Sequence, residues 1–295
     1  SGNHNIILEG PPGAGKTMLA KCIPSIMPDM SFREALETTK IHSVAGKMKD
    51  TEGIVYRRPF MSPHHTASRV SIIGGGQSAK PGVVSLAHNG VLFLDEMPEY
   101  PRSVLESLRQ PLEDRVITVT RVKANLEYPA SFMLAGSMNP CPCGYYGSKD
   151  RECTCSPAQR KKYREKISGP LLDRMDIRIN VDNVKYDELT DKTEAESSAE
   201  VRKRVNRTRA LQRERFKDDG ISSNAEMSEK HLNKYCVLSR ECEEILKYAF
   251  ESLKMSARAR SRIIKVARTI ADMDLSENIE PKHLLEAISY RGDGL

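Results

Sequence analysis

Gly10-Pro11-Pro12-Gly13-Ala14-Gly15-Lys16-Thr17 follows the pattern G-x-x-x-x-G-K-[ST]. Its glycines let consecutive backbone N–H groups converge on a polyphosphate, and a helix N-terminus behind it adds positive potential. In that chemistry Lys16 reaches the β- and γ-phosphates and Thr17 places its hydroxyl on Mg²⁺. A second group is Asp95-Glu96, directly after Val91-Leu92-Phe93-Leu94. Asp95 suits the Mg²⁺ shell, and Glu96 suits the orientation or deprotonation of an attacking water, as hydrolysis requires. Asn139 follows the apolar run 131–136, where its amide fits contact with a γ-phosphate or the lytic water; the bland reading is a turn before Pro140. Arg174, in Leu171-Leu172-Asp173-Arg174-Met175-Asp176, suits an arginine finger reaching a neighbouring subunit's nucleotide, worth ~10³–10⁵ in rate. A local pair with Asp173 or Asp176 is its alternative. Arg258, at the start of a C-terminal helix, is placed to swing onto the γ-phosphate. Arg260 projects from another face of that helix, and Arg262 lies on Arg258's side a turn later.

Cys141-x-Cys143 and Cys153-x-Cys155 put four thiols on one loop. Outside an oxidising compartment, paired cysteines at this density suit tetrahedral Zn²⁺ rather than disulfides, although the C-x-C spacing is tighter than the usual C-x₂-C. Structural zinc and free thiols both stay open. Cys22, Cys236 and Cys242 read as buried small hydrophobes.

Several elements must position these residues. Asn5-Ile6-Ile7-Leu8 reads as a buried parallel strand ahead of the phosphate loop, and Met18 to Lys21 as the first turn of a helix. The run 91–94 reads as a second buried strand, 131–136 as a third, and 177–181 as another. Open α/β sheets place ligands at the C-terminal ends of such strands. From about 228 the chain reads as helical. Ser228, Ser239 and Ser256 precede three helices, and Pro281 opens a fourth with Leu284, Leu285 and Ile288 on one face.

The 295 residues are 39% hydrophobic and 29% charged, the make-up of a folded chain. No apolar stretch approaches the ~18 residues of a membrane span, and no leader opens the chain, so a cytoplasmic protein without membrane attachment is expected. The chain opens almost on a core strand, which reads as a fragment of a longer product. Net charge is +6, with basic clusters at 160–166, 202–215 and 258–268. These suit a phosphate-rich partner or, equally, solvated helix faces balanced by neighbouring glutamates. With 5% aromatics and no Trp, a stacking platform for bases is not evident.

The motifs in order resemble the AAA+ superfamily, and within it the magnesium-chelatase and MCM-like clade, in particular bacterial magnesium chelatase-like proteins of the competence-associated ComM type. The resemblance is carried by Pro59 to Ser68, Ile73 to Gly76, Pro81-Gly82, Leu86 to Gly90 and Leu108 to Glu113. It continues through Asn139 to Gly144, Ser168 to Arg174, Ser256 to Arg258 and Val266 to Asp272. It implies a P-loop AAA+ three-layer α/β sandwich with a parallel sheet, followed by an all-α lid. Residues 1–184 would form the nucleotide-binding domain, with an insertion at about 55–85 and a pore-facing hairpin at about 116–131. Residues 185–227 would hold a linker helix resembling the insertion before sensor 2, and 228–295 the lid.

By the same resemblance Asn139 is sensor 1, Arg174 the arginine finger and Arg258 the sensor-2 arginine. The cofactors implied are ATP and Mg²⁺. The partners are branched or single-stranded DNA and five further copies in a homo-hexamer, acting in a bacterial cytoplasm as an ATP-driven motor for branch migration. Family members also carry a Lon-protease-like N-terminal domain and a helix before the first strand that grips adenine. Neither is in this sequence, so weak nucleotide affinity and failed hexamer formation are expected of it. Arg121 and Lys123, near the hairpin tip, are the first candidates for DNA phosphate contact; solvated turn residues are the alternative. His64-His65 fits a second contact or simple packing. A chelatase ATPase subunit that powers metal insertion into a porphyrin is the rival function, and a nucleotide-gated scaffold is a further one, opposed by intact Glu96, Asn139 and Arg174.

Overall fold

The computed structural model describes residues 1–48, 53–76, 79–120, 125–148, 151–184 and 195–291. The chain opens with β1 (Ile6–Glu9), the phosphate loop and α1 (Lys16–Ile26). Next comes α2 (Phe32–Val44), whose N-terminus is closed by a reciprocal Ser31–Glu34 capping box. Short elements follow: β2 (Phe60–Met61), α3 (Arg69–Ile73), β3 (Gly74–Gly75), β4 (Lys80–Pro81) and α4 (Val83–Leu86). Then come β5 (Val91–Leu94), α5 (Arg102–Ser107) and α6 (Arg109–Asp114). A hairpin of β6 (Val116–Thr120) and β7 (Asn125–Pro129) leads into β8 (Met133–Met138). After a cysteine-bearing loop run α7 (Pro157–Arg164), α8 (Gly169–Leu172) and β9 (Ile177–Asn180).

The main sheet is parallel, in the order β2-β5-β8-β1-β9. Every residue of β5 is fully buried, because parallel strands are covered on both faces. The strand's alternation shows the two coverings. Leu92 and Leu94 point into a large core with Met97, Leu105, Leu108 and Leu134. Val91 and Phe93 point into a smaller one with Leu8, Ala20 and Ala135. The α/β region is therefore a three-layer sandwich, as expected of a P-loop AAA+ domain. Three strands differ in their limits from the sequence reading: the first runs from Ile6 to Glu9, the third from Met133 to Met138, and the fourth ends at Asn180.

Beyond β9 the described chain is helical: α9 (Ser198–Arg215), α10 (Glu229–Tyr235), α11 (Arg240–Ser252), α12 (Ala257–Met273) and α13 (Pro281–Ser289). Ser239 and Ser256 accept hydrogen bonds from Cys242 and Ala259 N–H, closing the starts of α11 and α12. A separate core built from Phe216, Leu232, Leu246, Ile263, Leu284 and neighbours holds these helices together. Helix α9 bridges to the α/β layer: the Arg202 guanidinium donates to the Ser25 carbonyl at the end of α1, and Asn206 pairs with Asp29. Cys236 and Cys242 are buried as expected, but Cys22 is exposed. Helix α1 turns Ala20 to the sheet, and two residues on, at about 200° around the helix, Cys22 faces outward.

A polar junction ties the helical region to β1. The Asp176 carboxylate accepts from Asn5 N–H at 2.8 Å and from the Arg262 guanidinium at 2.5 Å. His4 Nδ1 lies 3.8 Å from it, and His4 Nε2 meets Thr269 Oγ1 at 2.7 Å. Burial pushes the Asp176 carboxyl up, but His4, the Arg262 cation and the Asn5 N–H together hold it well below the usual carboxylate range. Burial outweighs Asp176 at His4 and lowers the imidazole below its ordinary value. Both shifts act in one direction. A lowered histidine stabilises the fold fully above its unfolded pKa of about 6.5 and loses that stabilisation as pH falls. A depressed aspartate does the same below its unfolded value of about 3.9. The thermal midpoint should therefore decline on going from pH 7.5 to 5.5, and His4→Gln should reduce that slope, which the buried His88, lowered by the same desolvation, shares. An unchanged slope in the variant would assign it to other groups.

Candidate nucleotide site

Strands β5, β8 and β1 are neighbours in the sheet, so their C-terminal ends deliver Asp95, Ser137 and Gly10 to one rim. The loop after β1 ends at Gly15, whose φ of 82° is the left-handed region that glycine adopts without Cβ strain. Helix α1 then begins at Lys16 with no acidic residue in its first turn, leaving its N-terminal N–H groups and dipole unopposed for an anion. Lys16 Nζ donates to the Gly10 and Pro11 carbonyls, both at 2.7 Å, and to Asn139 Oδ1 at 3.1 Å. Its ammonium is lowered first by burial, against the opposing pull of Asp95 and Glu96. The P-loop lysine, the residue after β8 and the carboxylates after β5 thus share one site.

The Thr17 hydroxyl donates to Asp95 Oδ2 at 2.8 Å. Ser137, buried within β8, donates to Asp95 Oδ1 at 2.5 Å and accepts from Glu96 N–H at 2.9 Å. Sequence reading passed over Ser137. Its only signal was a hydroxyl two residues ahead of Asn139 on a strand whose partner was not yet known. Glu96 itself is exposed and sits at φ 51°, ψ 50°, a left-handed conformation costing a non-glycine residue about 1–3 kcal/mol. The Ser137–Glu96 hydrogen bond holds that turn, which aims the carboxylate off the end of β5. The hard oxygens of Thr17 and Asp95 fit a Mg²⁺ ion, which binds through one or two protein oxygens plus substrate phosphates.

Arg174 is elsewhere. It is only 3% exposed, and its guanidinium pairs with Glu113 and donates to the Pro170 carbonyl at 2.6 Å. Neither Asp173 nor Asp176 is its partner among the described residues: Asp176 takes Arg262 instead. Arg258 is exposed and lines a cleft with Glu113, Arg260 and Arg262. Arg258 thus shares a cleft with the glutamate that Arg174 pairs with. Arg260 pairs with Glu243. Arg121 and Lys123 fall in sequence between β6 and β7 and lie outside the described residues. His64 and His65 stack at 4.0 Å on a turn anchored by the buried Tyr100, whose hydroxyl donates to the Pro63 carbonyl.

Much of the basic clustering is spent internally. Asp272, 1% exposed, gathers Arg215, Arg268 and Asn224. Arg209 is buried, Arg213 faces Glu34 and Arg204 pairs with Glu196. Arg268–Asp272 and Arg204–Glu196 are near in sequence, but Arg213–Glu34, Arg215–Asp272 and Arg262–Asp176 join distant parts of the chain that periodicity could not pair.

The four loop cysteines bring their Sγ atoms within 4.8 Å of one another. Cys141 and Cys143 lie 3.3 Å apart, and each is 3.7 Å from Cys153. A tetrahedral ion with bonds of about 2.3 Å to sulfur sets neighbouring sulfurs roughly 3.8 Å apart, so the set fits a metal. Backbone N–H groups of Tyr146, Cys143 and Cys155 donate to Cys141, Cys155 and Cys153 sulfurs, each at 3.4 Å, the bonds that stabilise thiolates.

Residues 1–189 match the family described as magnesium chelatase, subunit ChlI, and residues 195–291 match the family of that subunit's C-terminal region. The chain is 43% identical to YifB of Salmonella typhimurium and 42% identical to competence protein ComM of Haemophilus influenzae, in each case over 293 residues. Each alignment covers 99% of this chain but 56% of the relative, so the chain spans little more than half their length. Magnesium-chelatase subunit ChlI of Olisthodiscus luteus is 21% identical over 145 residues, 46% of this chain and 42% of that protein. No helix among the described residues is long and apolar enough to cross a membrane. With a nucleotide site assembled from three adjacent strand ends and both halves matched, the chain belongs to the magnesium chelatase ChlI family, alongside its ComM-like members.

Proposed function

We propose that the protein is a Mg²⁺-dependent ATPase that drives a DNA motor, a hexameric ring promoting branch migration of incoming DNA in a bacterial cytoplasm. The observation that carries the ATPase reading is the single hydrogen-bonded unit joining Thr17, Asp95, Ser137 and Glu96, with Lys16 on Asn139 beside it. Gly10 to Thr17 would cradle the phosphates, with Lys16 against the terminal ones. Thr17 and Asp95 would hold Mg²⁺, which would supply charge neutralisation to the phosphates. Glu96 would take up the proton of the attacking water, and Asn139 would orient that water or the γ-phosphate. Arg174, paired with Glu113, and Arg258 in the same cleft would serve a neighbouring subunit's nucleotide. Arg121 and Lys123 would meet DNA phosphates from the hairpin tip. A Zn²⁺ ion on Cys141, Cys143, Cys153 and Cys155 would be structural. The kinship with competence protein ComM supports the DNA branch of this reading.

The family also supports a second reading, an ATPase subunit that remodels a partner for metal insertion into a porphyrin. Hydrolysis measured with and without branched DNA at two salt concentrations separates them. A DNA motor should be stimulated, with the stimulation falling as salt displaces phosphate contacts. Charge reversal at Arg121 and Lys123 should remove the stimulation and spare basal hydrolysis. Robust hydrolysis indifferent to DNA, in a protein shown to be hexameric, would favour the chelatase-type role.

A further inference from the structure

The cysteine loop packs on the phosphate loop at Gly144 and lines a cleft together with it. Gly144, immediately after Cys143, has φ 87°, and its N–H donates to the Cys141 carbonyl at 2.9 Å. A Cβ at Gly144 would come within 2.6 Å of Pro12 Cδ and 2.8 Å of Pro12 Cγ. The Gly144 backbone therefore lies directly on the Pro12 ring, at the crown of the loop that binds phosphate. Beside that contact, Tyr146, Gly147 and Ser148 line a cleft of about 390 Å³ together with Gly10 and Pro11. Tyr146 is fixed there by the cysteines. Its N–H donates to Cys141 Sγ, and its ring lies 4.3 Å beneath Arg160, whose guanidinium donates to the Cys155 carbonyl. Two residues before Cys141, Asn139 accepts from Lys16.

Between Met138 and Pro157 no helix or strand is present among the described residues, so backbone regularity does not hold this loop's shape. Sulfurs this close are stable together as thiolates only when a cation sits among them. We propose that metal binding at Cys141, Cys143, Cys153 and Cys155 controls nucleotide binding, by holding Gly144 on Pro12 and the Tyr146 turn beside Gly10. The proposal rests on the zinc reading above and adds a coupling that reading does not contain. No cysteine touches nucleotide; the ligand loop acts as a brace on the phosphate loop.

The test measures zinc content and the affinity for a fluorescent ATP analogue on the same samples. Zinc is removed with a zinc-selective chelator under reductant, Mg²⁺ is kept in excess, and zinc is then restored. Expected are one zinc per chain, a dissociation constant about tenfold or more higher after removal, and recovery on re-addition. Gly144→Ala keeps all four thiols but forces Pro12 to move, an overpacking of a tight contact. It should retain one zinc per chain and still bind the analogue about tenfold or more weakly. Zinc bound, with affinity unchanged by its removal, overturns the coupling and leaves the zinc reading standing. No zinc bound by the reduced protein removes the zinc reading and the coupling with it. If the stripped protein unfolds, Gly144→Ala decides: wild-type affinity in a folded, zinc-loaded variant overturns the proposal.

Discussion

Glu96→Gln should lower ATP turnover by about 10²–10⁴-fold and leave affinity for the nucleotide near that of the unaltered protein. The carboxylate is exposed at the end of β5, turned outward by a left-handed backbone that Ser137 holds, and contributes no hydrogen bond to the phosphate loop. Glutamine keeps its shape and loses only the capacity to take a proton. Lys16→Ala makes the informative contrast. Its ammonium donates to two loop carbonyls and Asn139, and is the only phosphate-loop side chain bearing positive charge. Losing a charge-assisted hydrogen bond of about 1.5–3 kcal/mol should weaken binding roughly 10–150-fold. Single-turnover hydrolysis and equilibrium binding of a fluorescent ATP analogue separate the two. Wild-type turnover by Glu96→Gln, or a loss of binding equal to that of Lys16→Ala, would remove Glu96 from the catalytic role.

Arg174→Ala carries the second large effect, ~10³–10⁵ in rate if the residue serves as an arginine finger. The structure shows Arg174 against Glu113 and Pro170 in its own chain, with its Nε buried and, among the described residues, without a hydrogen-bond partner. A purely structural role would cost stability instead, because deleting a buried side chain leaves a cavity and strips a partner from Glu113. Mixing distinguishes these outcomes. Arg174→Ala protein combined with Lys16→Ala protein in an assembled ring creates interfaces in which an intact phosphate loop faces an intact arginine. Recovered hydrolysis would place Arg174 in trans. A mixture as inactive as its parts, with a lowered thermal midpoint for Arg174→Ala alone, would make the residue a strut. Glu113→Gln tests the tether itself, since it loosens the guanidinium and leaves the finger in place.

The phosphate loop, the carboxylates after an apolar run and the capped C-terminal helices were legible because each is written in local spacing. Glycines at fixed offsets, four consecutive buried residues, and a serine before a helix all act within a few residues of themselves. Asn139 was legible for the same reason, as the residue just past a strand. Ser137 was not. Its role exists only because β8 lies between β5 and β1, so that one hydroxyl meets both Asp95 and Glu96. The basic clusters left a phosphate-rich partner and acid-balanced helix faces both open, and only tertiary structure shows that Asp176 takes Arg262 and that Arg215 crosses from another helix to join Arg268 on Asp272. The four cysteines left zinc and free thiols both open by spacing, and the seat of their loop on Pro12 depends on a glycine whose missing Cβ matters only once two loops have met. The sequence by itself therefore determined the chemistry on offer: a polyphosphate cradle, a carboxylate pair, four thiols and an α/β layer with helices after it. Tertiary structure alone decided which groups share a partner, because strand order and loop contact are set by burial of distant apolar faces, and hydrogen bonds and ion pairs form only where that burial brings them within reach.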